Sequence, residues 1–115
     1  MSKSLKRVEA ALAASGVAHD LREVGQARTA EEAAQAAGCA VDQIVKSILF
    51  RGEASGHVVL FLTAGGNRVC AEKASAVAGQ PLGKADAALV RAETGFAIGG
   101  VSPLAHPQKL RVFWD

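Results

Sequence analysis

In "QIVKSILFRGEASGHVVLFLT", residues 43–63, two apolar runs flank a short polar turn. Residues 44–51 read as one strand and residues 57–63 as a second. "GEASG" between them makes the pair an antiparallel hairpin. One residue does not fit a buried strand. Side chains alternate along a strand, so Ile44, Lys46, Ile48 and Phe50 share one face, and Val45, Ser47, Leu49 and Arg51 the other. Lys46 therefore falls on the more apolar face. Pattern alone leaves two readings open. The stem can lie along the core while the ammonium reaches water, or the ammonium can stand at a pocket rim, offered to an anion or a developing oxyanion.

Outward from the hairpin, helices and strands are interspersed. Leu5, Val8 and Leu12 keep helical spacing, and Gly16 can end that helix. Residues 17–24 read as a short strand and residues 25–28 as a connector. In "TAEEAAQAAG", Thr29 and Glu32 form a capping box ahead of an alanine-rich helix that Gly38 terminates. After "AGGN", residues 70–78 read as a short helix closed by Gly79. "GKADAALVRAETG" reads as another helix, with Leu89 and Val90 inward. Residues 96–98 are expected to form a brief strand, and residues 110–114 the last one. Interspersed elements with a tight hairpin predict an α+β fold with a mixed sheet, not a doubly wound parallel one.

Composition narrows the function classes. The chain has 115 residues, half of them hydrophobic and 21% charged, which fits one globular domain. Its formal net charge of +2 does not by itself imply a nucleic-acid coat. No stretch approaches the roughly 18 apolar residues of a membrane span, and no secretory segment opens the chain. A reducing cytoplasm is expected, with the two cysteines, Cys39 and Cys70, as packed thiols rather than a disulfide.

Few segments can carry chemistry. "TGFAIGGVSP", residues 94–103, sets paired glycines after an apolar run, so its backbone can approach a carbonyl or phosphate closely, or simply turn. It is not a dinucleotide fingerprint, because the G-x-G-x-x-G spacing is absent. Ser102 and His106 lack the nucleophile elbow a hydrolytic serine needs. They read as a turn serine and a surface histidine, with a substrate contact at His106 left open. Histidines and cysteines are scattered without metal-ligand spacing. Asp86, Glu93, Glu31 and Glu32 read as solvated helix charges. In "TAGGNRV", residues 63–69, Asn67 and Arg68 can face a substrate or close a turn.

In order, "IVKSILF", "TAGGNRVCAEK", "GKADAALVRAETGFAIGGVSP" and "HPQKL" resemble the YbaK/prolyl-tRNA-synthetase-associated family. The resemblance runs from the capping-box helix to the C-terminus. It implies a compact α+β domain with a curved, mixed sheet and flanking helices. It also implies hydrolysis, in trans, of the ester of mischarged tRNA carrying a small amino acid such as Cys, Ala, Ser or Thr. Lys46 matches the family's essential lysine. Residues 99–103 match its G-x-x-x-P loop, which shapes the pocket and contacts substrate through its backbone. On this resemblance Lys46, Gly100 and Val101 are the expected catalytic groups. Thr63, Asn67, Arg68, Thr94, Gly95, Gly99, Ser102, Pro103 and His106 are expected to bind substrate. No metal and no cofactor is expected. The expected partner is the 3′ acceptor end of a mischarged tRNA, with an aminoacyl-tRNA synthetase as a further candidate, and neither DNA nor a membrane.

Two departures stand out. Cys70 occupies a position where the family often has aspartate. Family chains also usually continue beyond "FWD" with another strand and a helix, so residues 1–115 are expected to form a single editing-like domain lacking these. The competing classes are a non-catalytic module of the same fold that docks tRNA or a synthetase, and a protein that binds a free nucleotide through the glycine loop.

Overall fold

The computed structural model describes residues 3–25 and 27–114. Four helices and a four-stranded mixed sheet make up the fold, as the interspersed pattern predicts. The helices are α1 (Lys3–Ser15), α2 (Ala30–Ala37), α3 (Ala71–Ala78) and α4 (Ala87–Thr94). The strands are β1 (Val45–Gly52), β2 (Val58–Ala64), β3 (Leu82–Lys84) and β4 (Arg111–Trp114), in the spatial order β3-β1-β2-β4. β1 runs antiparallel to both β2 and β3, and β4 lies parallel to β2.

The expected antiparallel hairpin forms, with Lys46 opposite Thr63 and Phe50 opposite Val59. At its turn, Gly52 N–H donates to the His57 carbonyl at 2.9 Å and Gly56 N–H to the Gly52 carbonyl at 2.8 Å. Gly56 and His57 thus face Gly52 together, a bulge whose first residue has positive φ.

Each sheet face is covered separately. On the Lys46 face, Val59 and Phe61 pack with Ala74 of α3, joined by Ile48, Phe50 and Phe113. Phe61 stacks on Phe113 at 5.3 Å and meets Phe50 edge-on at 5.7 Å. The opposite face contributes the fully buried Val58 and Leu60, and α4 supplies Val90 and Thr94. Burying side chains of this size is worth about 1.5–3 kcal/mol each.

α2 starts as its sequence predicts, with the Thr29 hydroxyl accepting from Glu32 N–H at 3.1 Å. The Glu32 carboxylate reaches back one residue further than a standard capping box, to Arg28 N–H at 2.8 Å.

Several expectations need correction. Residues 17–24 are not a strand; Val17, Leu21 and Val24 are exposed, with no neighbouring strand to pair with. Residues 96–98 turn instead of extending, because the Thr94 hydroxyl takes Phe96 N–H at 3.1 Å as the chain leaves α4. β3 was not expected, because residues 83–95 were read as one helix. Instead Leu82–Lys84 pair with the end of β1, and the helix starts only at Ala87, where the Asp86 side chain caps it. Both cysteines are free thiols, but Cys70 is exposed rather than packed. Within the 25–28 connector, Gln26 lies outside the described residues, as do Met1, Ser2 and Asp115.

Candidate active site

β1 is covered along only part of its outer edge. β3 pairs with Phe50, Arg51 and Gly52, leaving the first half of the strand without a neighbour on that side. There a cavity of about 330 Å³ opens between the β1 edge, the start of α2 and the glycine loop. Lys46, Gly99, Gly100, Val101 and Pro103 all line it. Two segments more than fifty residues apart in sequence, picked out separately from the sequence, therefore meet at one cavity.

The β1 ladder sets what its edge offers. The hairpin closes on the Gly52–His57 hydrogen bond, so even-numbered residues of β1 bond to β2 and odd-numbered ones point away. Val45 and Ser47 thus aim their main-chain N–H and C=O groups at the cavity they line. β3 does not reach them, and neither pair bonds to a loop, turn or cap among the described residues. Unpaired donors and acceptors on a strand edge are ready partners for a ligand. No motif marks them, and only the register of the hairpin reveals them.

The Lys46 ammonium donates to the main-chain carbonyl of Asn67. Asn67 in turn donates its N–H to the Ala64 carbonyl at 2.9 Å, which closes the turn after β2. In the glycine loop, Gly99 has φ +89° and Gly100 N–H donates to the Ala97 carbonyl at 2.9 Å. Gly100 N–H is therefore committed within the turn and is not the free oxyanion donor expected of it. Val101 N–H has no partner among the described residues and lies on the same cavity wall.

The remaining candidates divide into two groups. Thr63 and Arg68 line a neighbouring groove of about 440 Å³, whose floor includes Phe61 and Phe113 and whose rim carries Lys73 and the exposed Trp114. Thr94, Gly95, Ser102 and His106 brace the fold around the loop. Thr94 is fully buried, and its hydroxyl donates to the Val90 carbonyl at 2.7 Å. Gly95 caps α4, and its carbonyl accepts from Arg7. The Ser102 hydroxyl accepts Leu104 N–H at 3.2 Å. His106 Nε2 lies 2.7 Å from the Ser102 carbonyl, and its ring meets Phe96 edge-on at 6.1 Å. None of these four lines the Lys46 cavity.

Sequence reading missed two charged residues. Arg28 lines the Lys46 cavity. Glu93, expected to be solvated, is buried; its carboxylate accepts Val58 N–H at 2.8 Å and meets His57 Nδ1 at 2.9 Å. A signal for Glu93 was present, because residues 90, 93 and 94 share one face of a helix whose Val90 points inward. Among the described residues no group of three or more His, Cys, Asp or Glu is placed to hold a metal. No described helix is long and apolar enough to cross a membrane.

Comparison with known proteins identifies the family. Residues 24–115 match the family model of the aminoacyl-tRNA editing domain. No functionally curated protein matches the chain. Among solved structures, a candidate trans-editing enzyme for prolyl tRNA synthetase is 46% identical, with a TM-score of 0.88; the match covers 100% of this chain and 73% of that one. A structure from work on grafting linear epitopes onto scaffold proteins is 44% identical, with a TM-score of 0.87 and coverage of 99% and 73%. The hypothetical protein APE2540 is 31% identical, with a TM-score of 0.82 and coverage of 95% and 73%.

Proposed function

Because the chain belongs to the aminoacyl-tRNA editing domain family, we propose that it is a deacylase that hydrolyses the ester of mischarged tRNA in trans. In this reading residues 1–115 act as one editing domain, and the amino acid removed is small, such as Cys, Ala, Ser or Thr. The observation that carries the proposal is the meeting of Lys46 and the 99–103 loop at one cavity of about 330 Å³. The relative described as a candidate trans-editing enzyme for prolyl tRNA synthetase supports action on tRNA and, as a further partner, a synthetase.

The 3′-terminal nucleoside lies along the β1 edge, with the aminoacyl group under the glycine loop. Water adds to the ester carbonyl, and the carbonyl oxygen gains negative charge. Val101 N–H and the Lys46 ammonium stabilise that charge. The carbon–oxygen bond to the ribose then breaks. The departing 3′ oxygen takes up a proton, and the amino acid leaves as its carboxylate. For a cysteinyl ester the substrate's own thiol can attack instead. The carbon–sulfur bond forms as the carbon–oxygen bond to the ribose breaks, the thiol proton ends on the 3′ oxygen, and the thiolactone released is then hydrolysed by water. The Ser47 carbonyl faces the cavity as an acceptor suited to the α-ammonium. Selection among Ala, Ser, Cys and Thr rests on single methyl or hydroxyl differences, each worth about 1–3 kcal/mol in an apolar pocket.

The test is a panel of tRNAs mischarged with labelled amino acids, scored for release of amino acid. Release from small-residue esters supports the deacylase reading. Saturable tRNA binding with no release would replace it with a non-catalytic docking module.

A further inference from the structure

Arg28 stands where two cavities adjoin. It lines the Lys46 cavity, and it also lines a second one of about 520 Å³ beside Gly25, Ile98 and Gly99. Among the described residues no aspartate or glutamate lines either cavity. Glu32, four residues on, directs its carboxylate to the main-chain N–H of Arg28 at 2.8 Å rather than to its guanidinium. The Arg28 guanidinium forms no ion pair or hydrogen bond among the described residues. Lys46 and Arg28 thus both line the cavity; the Lys46 ammonium is bonded to the Asn67 carbonyl, whereas the Arg28 fork remains open to a ligand.

The chemistry of the proposed substrate limits what that ligand is. An aminoacyl ester carries an ammonium and no carboxylate. The anions at the acceptor end of a tRNA are its phosphodiesters. A guanidinium presents paired donors that match two phosphate oxygens. We infer that Arg28 binds the phosphate on the 5′ side of the terminal nucleoside, while the ester sits between Lys46 and the glycine loop. Arg28 then anchors the nucleotide end and leaves Lys46 to the reacting end. This assignment rests on the deacylase reading, and it adds a phosphate subsite to it.

The test uses non-hydrolysable 3′-alanylamido-adenosine, with and without a 5′-phosphate, and calorimetric affinities for wild type, Arg28→Ala and Arg28→Lys. Arg28→Ala keeps the main-chain N–H that Glu32 caps. Wild type is expected to bind the phosphorylated compound about 10-fold more tightly, the scale of one charge-assisted contact. Arg28→Ala should abolish that preference without weakening the unphosphorylated form, and Arg28→Lys should keep part of it. Equal loss for both compounds in Arg28→Ala, or no preference in wild type, overturns the phosphate assignment while leaving the deacylase reading in place. Inorganic phosphate that competes as well as the phosphorylated nucleoside would make this a plain anion site and also overturn it. Failure of wild type to bind either compound, together with no release from mischarged tRNA, would sink the deacylase reading and this subsite with it.

Discussion

Lys46 donates its ammonium to the main-chain carbonyl of Asn67, so the turn after β2 anchors the charged residue on the apolar face of β1. The acceptor is backbone, and the Asn67 side chain is not needed for the contact. Asn67→Ala should therefore change kcat/KM on mischarged tRNA by less than about 3-fold, in line with the ±0.5 kcal/mol typical of surface substitutions. A much larger loss would mean that the Asn67 amide itself meets substrate.

Thr94 was expected to touch substrate, but it is buried at the end of α4, donating to the Val90 carbonyl and receiving Phe96 N–H. Thr94→Val removes a buried hydroxyl and leaves Phe96 N–H unpaired. It should cost about 1–3 kcal/mol in denaturant unfolding. The kcat of the folded fraction should stay at the wild-type value. A drop in kcat without a loss of stability would restore a direct role.

Glu93 ties the end of α4 to the first residue of β2 through Val58 N–H at 2.8 Å. Glu93→Ala leaves that buried donor without a partner, a penalty of about 1–3 kcal/mol. Glu93→Gln keeps an acceptor oxygen and should recover most of the stability. Equal destabilisation by both variants would show that the carboxylate charge, facing His57, matters more than the hydrogen bond.

Gly99 adopts φ +89°, and a Cβ there would meet no neighbour. Gly99→Ala therefore acts through backbone strain alone, at about 1–3 kcal/mol. The strain falls on the turn that presents Val101, so the expected outcome is a modest fall in melting temperature with a clear fall in kcat/KM. Unchanged kcat/KM would show that the loop geometry is dispensable.

The hairpin was legible because two apolar runs flank a five-residue polar turn. Lys46 was legible as the residue that breaks that pattern. The strand expected at residues 17–24 failed because its apolar residues have no sheet edge to join. β3 was hidden because its last two residues were read as the start of the following helix, and three residues are too few to show a strand period. The site was only partly legible. Lys46 and residues 99–103 could be picked out by type and by resemblance. The cavity-facing groups of Val45 and Ser47 are main-chain atoms, which carry no sequence signal. Arg28 sits in a connector without periodicity, and only the fold brings it to the cavity wall.

Lys46→Ala on the preferred mischarged tRNA, measured in single turnover beside a thermal melt, tests the central claim most directly. The account predicts an intact fold and a deacylation rate lower by about 10²–10³, the cost of losing one donor to a developing oxyanion. A variant that folds and deacylates at the wild-type rate would contradict it.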